Sequence, residues 1–305
     1  MKNLVFIPFA FDPSKQTGAN VKKRNALNIY LKNICVATAS IKKYNPDVDV
    51  AVVCNIDLPN FYKQILLRQN ILILTEAFDR YTFPNDYKWN LAFYKLCALE
   101  KVVQKYRYDN YLYLDADIII QDSLEPIFKE LSDNILMYDI NNGLISPEYR
   151  IIIQEFRDFG VSSYITHYGG EFFSASYDNA QKFIIECSSI YSQMITDNFI
   201  TTSGDEFIIS IAAHRCKNKI KNAGAYIFRF WTNSFYLVST CYKYNPVPIL
   251  HLPGEKNKAI LKIFKRYVKH DKFPRKKQVH RLCHLNKPSI ETIIKQILKK
   301  LLNKS

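Results

Sequence analysis

Ten residues constrain this chain more than any others: Tyr111-Leu-Tyr-Leu-Asp-Ala-Asp-Ile-Ile-Ile120. Four apolar residues, Tyr111 to Leu114, run into Asp115-Ala116-Asp117, and three isoleucines follow. An apolar run with β-branched and aromatic residues reads as a buried strand. An ionised carboxylate is costly to bury without a partner, so two of them at the end of such a strand call for a cation. Asp-x-Asp at a strand end can aim two hard oxygens at one Mg²⁺ or Mn²⁺. The alternative is a pair of Asp residues capping a turn or the next helix. The apolar run before them ties the pair to a central strand instead.

Other runs supply the surroundings of that strand. Leu4–Phe9 reads as a first, central strand, Val48–Cys54 as a second and Ile71–Leu74 as a third. Leu27, Tyr30, Leu31, Ile34, Ala37 and Ile41 recur at helical spacing across Asn25–Tyr44, and Asn45-Pro46 stops the helix. Phe93, Leu96, Leu99 and Val103 share one side of a helix expected over Trp89–Tyr106, which leads into the Asp115 strand. Strands alternating with helices argue for an α/β sheet with parallel strands. In such sheets ligands sit beyond the carboxyl ends of the strands, where Asp115 and Asp117 stand. Further on, Asp122–Phe128 begins a helix or turn, Ser146-Pro147 opens a helix with Ser146 as N-cap, and Gln181–Ile195 is helical. Gly169-Gly170 precede an aromatic strand, which allows close backbone approach. Asp205 and Glu206 fall in the first turn of a helix starting at Ser203, where the dipole favours acids. Pro248–His251 is a last short strand before Gly254.

The chain of 305 residues is long enough to bury a full core as one large domain or two small ones. No stretch nears eighteen uninterrupted apolar residues, which excludes a membrane-spanning helix, and Met1–Pro8 is too short an apolar run for a signal peptide. Cysteines at 35, 54, 97, 187, 216, 241 and 283 are odd in number and scattered, without metal-ligand spacing. They read as reduced core thiols of a cytosolic protein.

The net charge of +14 is not spread evenly. Of 42 Lys+Arg and 28 Asp+Glu, sixteen and two lie within residues 256–305, leaving 26 of each in the first 255. A neutral body with a basic tail points to a polyanionic partner for the tail. Ile290, Ile293, Ile294, Ile297, Leu298, Leu301 and Leu302 share a stripe flanked by Lys295, Lys299 and Lys300. Such a basic amphipathic helix fits an anionic membrane surface, and packing back on the domain is the alternative. Nucleic acid is a poor partner, because no DNA- or RNA-binding motif accompanies the charge.

Two kinds of enzyme put Asp-x-Asp after an apolar strand. In haloacid-dehalogenase-like phosphohydrolases Asp115 would be the nucleophile. That pattern wants Thr or Val where Ile119 stands, and places the motif on the first strand of its domain. A non-enzymatic basic protein, binding membrane or nucleic acid, with a structural acidic pair is the other rival. Leu114–Phe128 instead resembles the metal-binding region of GT-A glycosyltransferases, in particular bacterial family 8 enzymes, which build lipopolysaccharide or capsule from UDP-sugars. Tyr94-Lys95-Leu96 resembles their Tyr-x-Arg-Leu helix, and His251-Leu-Pro-Gly254 their C-terminal His-x-x-Gly.

The resemblance implies an α/β GT-A mixed sheet with flanking helices over residues 1–258, and leaves 259–305 as a basic helical extension for membrane association. It implies Mn²⁺ or Mg²⁺ held by Asp115, Asp117 and His251. It implies a UDP-sugar donor contacted by Lys95, Asp115, Gly170, Gly254 and Lys256 or Lys258, and a glycan or lipid-linked glycan as acceptor. Asp205, Glu206 and Glu171 are the candidate catalytic carboxylates, in an enzyme expected to retain anomeric configuration at the inner face of the cell membrane. Two departures stand out. No Lys-Pro-Trp follows Gly254, and a Glu occupies position 171, where a small or apolar residue is expected.

Overall fold

A computed structural model describes residues 1–13, 25–84, 87, 90–140, 147–232, 247–285 and 289–302. Trp89, Ser146 and Cys241, each given a role or state above, lie outside these residues. The first half runs β1 (Asn3–Phe9), α1 (Ala26–Tyr44), β2 (Asp49–Cys54), α2 (Asn60–Arg68), β3 (Leu72–Thr75), α3 (Tyr94–Lys105), β4 (Asn110–Leu114), β5 (Ile118–Ile120), α4 (Glu125–Lys129) and β6 (Ile135–Asp139). The second runs α5 (Pro147–Asp158), β7 (Tyr168–Ser176), α6 (Tyr177–Thr196), α7 (Asp205–Arg215), β8 (Ile220–Asn222), β9 (Ile227–Arg229), β10 (Ile249–His251), α8 (Ala259–His270), α9 (Lys276–Leu282) and α10 (Ile290–Leu302).

Among the described residues, seven strands form the main sheet in the order β3-β2-β1-β4-β7-β6-β8. It is mixed: β1, β2, β3 and β4 are parallel, while β7 runs antiparallel to both β4 and β6. The alternation of side chains sends Leu112 and Leu114 of β4 into one apolar layer and Tyr111 and Tyr113 into the other. α1 and α8 cover the first layer; α3, α6 and α7 cover the second. A strand buried on both faces needs a continuous apolar run rather than an alternating one, which is what Tyr111–Leu114 supplies. Each fully buried large apolar side chain contributes roughly 1.5–3 kcal/mol.

The apolar run breaks at Asp115–Asp117, and there the chain changes sheets. β5 pairs antiparallel with β10, which pairs parallel with β9 in a second, three-stranded sheet. The register sets His251 opposite Ile118, one residue beyond Asp117. The junction of the two sheets thus brings a residue 134 positions downstream beside the Asp pair.

α3 begins at Tyr94, later than the helix expected from Trp89. The side chain of Asn90 donates to the carbonyls of Phe83 and Pro84, and such side-chain bonds hold a turn in place of a helix. The C-terminal segment divides in two. α8 buries Ala259, Ile260, Ile263 and Phe264, and Phe273, Val279, Cys283 and Leu285 continue the same core. His280 Nε2 lies 2.6 Å from Gln121 Oε1, close after the Asp pair. α10 behaves differently: its seven stripe residues are 38–76% exposed, and Glu291 joins it to Lys258 at 3.0 Å.

Candidate functional site

Asp115 and Asp117 follow directly on β4, His251 ends β10, and their ligand atoms lie within 4.8 Å of one another. Asp117 and His251 are buried. His251 Nε2 stands 3.3 Å from Asp117 Oδ2, and Lys256 Nζ stands 3.2 Å from the same oxygen. Lys95, in the first turn of α3, places Nζ 2.9 Å from Asp115 Oδ1 and 3.9 Å from Asp205 Oδ2, and donates to the Gly170 carbonyl at 2.8 Å. Asp115 Oδ1 and Asp117 Oδ2 are buried and accept no aligned hydrogen bond. The set fits a hard divalent cation: two carboxylates and an imidazole suit Mn²⁺, and their spread is near what one ion about 2.1 Å from each ligand requires.

A second cluster adjoins the first. Arg229 Nε and Nη2 donate to Glu171 Oε1 and Oε2 at 2.7 and 2.5 Å, a two-point pairing. Arg229 Nη2 also lies 3.4 Å from Glu206 Oε1, and His167 Nε2 lies 3.3 Å from Glu206 Oε2. Glu171 Oε1 returns to His251 Nδ1 at 3.2 Å. Gly169 and Gly170 are small for a reason: a Cβ at 169 would collide with the Glu171 carboxylate, and one at 170 with that of Asp205. Gly204, just before α7, sits at φ +66, a conformation open to glycine.

Charge states follow from these contacts. Burial would lower Lys95, but Asp115 and Asp205 prevail and hold it well above its usual value. Burial pushes Asp205 up to about 7, with Glu206 and Asp115 adding and Lys95 opposing. For Glu206 the cost of burial is outweighed by the His167 hydrogen bond and Arg229, which hold it below the usual range. Arg229 and His251 likewise overcome burial to hold Glu171 well below its range. In the metal-free protein His251 rises to about 9: burial opposes its charge, but Asp117 and Glu171 win.

Lys95, Asp115, Asp117, Gly170, Glu171, Asp205, Glu206, His251 and Lys256 therefore converge. Gly254 lies in the short turn Pro253–Glu255 that carries the chain from His251 to Lys256. Lys258 turns away and pairs with Glu291 of α10, so of the two lysines Lys256 faces the Asp pair. Arg229 and His167 were not anticipated from sequence. Arg229 carries a signal in retrospect, an Arg within the apolar run Ile227-Phe-Arg-Phe230, the same anomaly that singled out Asp115.

No protein-family model and no curated protein matches the chain. Solved structures do match. The galactosyltransferase LgtC in complex with donor and acceptor sugar analogues aligns at TM-score 0.54 and 16% identity, over 82% of this chain and 86% of that one. An active-site mutant of LgtC aligns over the same shares at TM-score 0.54 and 15% identity. The chain has the GT-A fold. The haloacid-dehalogenase alternative is set aside on that ground.

Proposed function

We propose that this protein is a metal-dependent glycosyltransferase that moves a sugar from a UDP-sugar to a glycan acceptor, in lipopolysaccharide or capsule synthesis. One observation carries the reading: on a GT-A fold, Asp115, Asp117 and His251 converge beyond the carboxyl end of β4 between Lys95 and Lys256. Asp115, Asp117 and His251 would hold Mn²⁺ or Mg²⁺, which when bound supplies Lewis-acid stabilisation of the departing diphosphate. Lys95 and Lys256 add preorganised positive charge for that leaving group. Gly169 and Gly170 let the Glu171 and Asp205 carboxylates pack directly against the β7 backbone, which sets where these acids stand beside the donor site. Glu206, held ionised, is suited to offset positive charge developing at the anomeric carbon, and the family resemblance favours retention. The donor and acceptor analogues bound by LgtC support nucleotide-sugar and glycan partners here.

α10 serves as the membrane contact in this reading. Its stripe is exposed, and Lys295, Lys299 and Lys300 flank it in sequence. Each Lys or Arg near an anionic surface contributes about 1 kcal/mol, and apolar insertion adds a component that salt does not screen. The site of action is then the cytoplasmic face of the membrane, where lipid-linked acceptors lie.

A thermal-shift series with UDP, other nucleotides and nucleotide sugars, with and without Mn²⁺, tests the proposal. Stabilisation by UDP that requires Mn²⁺ is expected. Equal shifts for all nucleotides, or none, would overturn it. NMR of the product's anomeric proton then decides retention.

A further inference from the structure

We propose that Glu171 is a positioning residue for His251, locked in place by Arg229. This inference rests on the metal reading above and concerns residues that reading leaves without a role. The two nitrogens of His251 face different carboxylates: Nε2 faces Asp117 Oδ2 at 3.3 Å and Nδ1 faces Glu171 Oε1 at 3.2 Å. A histidine that ligates a metal through one nitrogen keeps its proton on the other, and an acceptor there fixes tautomer and ring orientation. Glu171 Oε1 is that acceptor.

The carboxylate cannot drift. Its side chain is 1% exposed and both oxygens are gripped by Arg229. Register explains the grip, since Arg229 pairs with His251 across the parallel strands β9 and β10. Glu171 also acts through its backbone, its carbonyl accepting from Asp115 N–H at 3.1 Å. One residue thus steadies two of the three candidate ligands. Gly169 completes the arrangement by leaving free the space that the Glu171 carboxylate fills. Arg229 reaches on to Glu206, so the metal end and the carboxylate end of the site share one anchor.

Deleting Glu171 alone would take from the partly buried Arg229 its two-point partner, so two cleaner perturbations are available. Glu171→Leu combined with Arg229→Met removes both charges together, which is far milder than breaking a buried pair. Gly169→Ala keeps every charge and displaces the Glu171 carboxylate sterically. Mn²⁺ titration of the full-length wild type, these variants and His251→Ala, by calorimetry or Mn²⁺ EPR, is the experiment. Both perturbations are expected to weaken Mn²⁺ binding by roughly 10–100-fold, with far-ultraviolet circular dichroism unchanged. Wild-type affinity in either folded variant overturns the positioning role. Wild-type affinity in His251→Ala overturns the metal assignment itself, a separate outcome. A measurement on the wild type covers failure to fold. With Zn²⁺ as diamagnetic probe, ¹⁵N-imidazole NMR should show His251 protonated at Nδ1, and a proton on Nε2 would refute the proposal.

Discussion

Replacing Lys95 by Met strips the ammonium that Asp115 and Asp205 share. Breaking a buried pair by removing one partner costs about 3–5 kcal/mol, because the remaining charge is uncompensated. Unfolding entropy of about 2.1 cal/mol/K per residue amounts, over 305 residues, to roughly 0.64 kcal/mol/K. The variant should therefore melt roughly 5–8 °C below wild type. The deficit should also depend on pH in a defined direction. Asp205 already stands at about 7 through burial, with Glu206 and Asp115 adding and Lys95 opposing, and it rises further when Lys95 is gone. A carboxyl whose folded pKa exceeds its unfolded value is stabilised by protonation. The deficit is thus full only above the raised Asp205 pKa of the variant, shrinks as pH falls toward about 7, and is level below that. Differential scanning fluorimetry across pH, with and without Mn²⁺, reads both effects, and Mn²⁺ should recover part of the loss by restoring positive charge at Asp115. A melting temperature within about 1 °C of wild type at about pH 9, where Asp205 is ionised most fully, would show that Lys95 compensates no buried charge.

Four further outcomes are expected. Asp117→Asn should abolish sugar transfer while the fold persists, since the cation needs this carboxylate; full activity with ordinary Mn²⁺ dependence would refute the ligand assignment. Cation binding must expel the proton that metal-free His251 holds up to about pH 9, so apparent Mn²⁺ affinity should rise about tenfold per unit from pH 7 to 9 and then level. Gly170→Ala should weaken donor binding, measured by UDP titration with Mn²⁺, because the added methyl meets the Asp205 carboxylate and lies 3.2 Å from Lys95 Nζ. Deleting residues 289–305 should abolish pelleting with anionic liposomes and leave UDP-sugar hydrolysis intact; truncating near 270 instead should unfold the body, because Phe273, Val279 and Leu285 belong to its core.

What was legible in the sequence was whatever a strong local pattern wrote. The continuous run Tyr111–Leu114 announced a strand buried on both faces, and the acids after it announced a site. Period-matched apolar residues placed α1 and the body of α3 for the same reason. β8 and β9, of three residues each, are too short to show a period and were missed, and with β9 went Arg229. The antiparallel β7 inside an otherwise parallel set depends on long-range pairing that alternation of helix and strand does not encode. The tail shows the same limit. Charge counting gave a single basic segment from 259, yet α8 and α9 bury apolar faces against the body while α10 does not, and composition is blind to that difference.

The site's charge balance connects its parts. Five carboxylates, those of Asp115, Asp117, Glu171, Asp205 and Glu206, are gathered with three permanent cations, Lys95, Arg229 and Lys256. Among the described residues the cluster is short by two positive charges, and burying that excess in a low-dielectric setting is unfavourable. Protons fill the gap in the metal-free protein, one on His251 at about 9 and a share of one on Asp205 at about 7. A divalent cation meets the same demand without either proton, and it frees the His251 nitrogen that a ligand must present. A nucleotide diphosphate arriving alone brings more negative charge into a cluster already in excess, and is repelled. In the proposed reaction the cation therefore favours donor binding by offsetting that excess, and by linkage the donor favours the cation to the same degree.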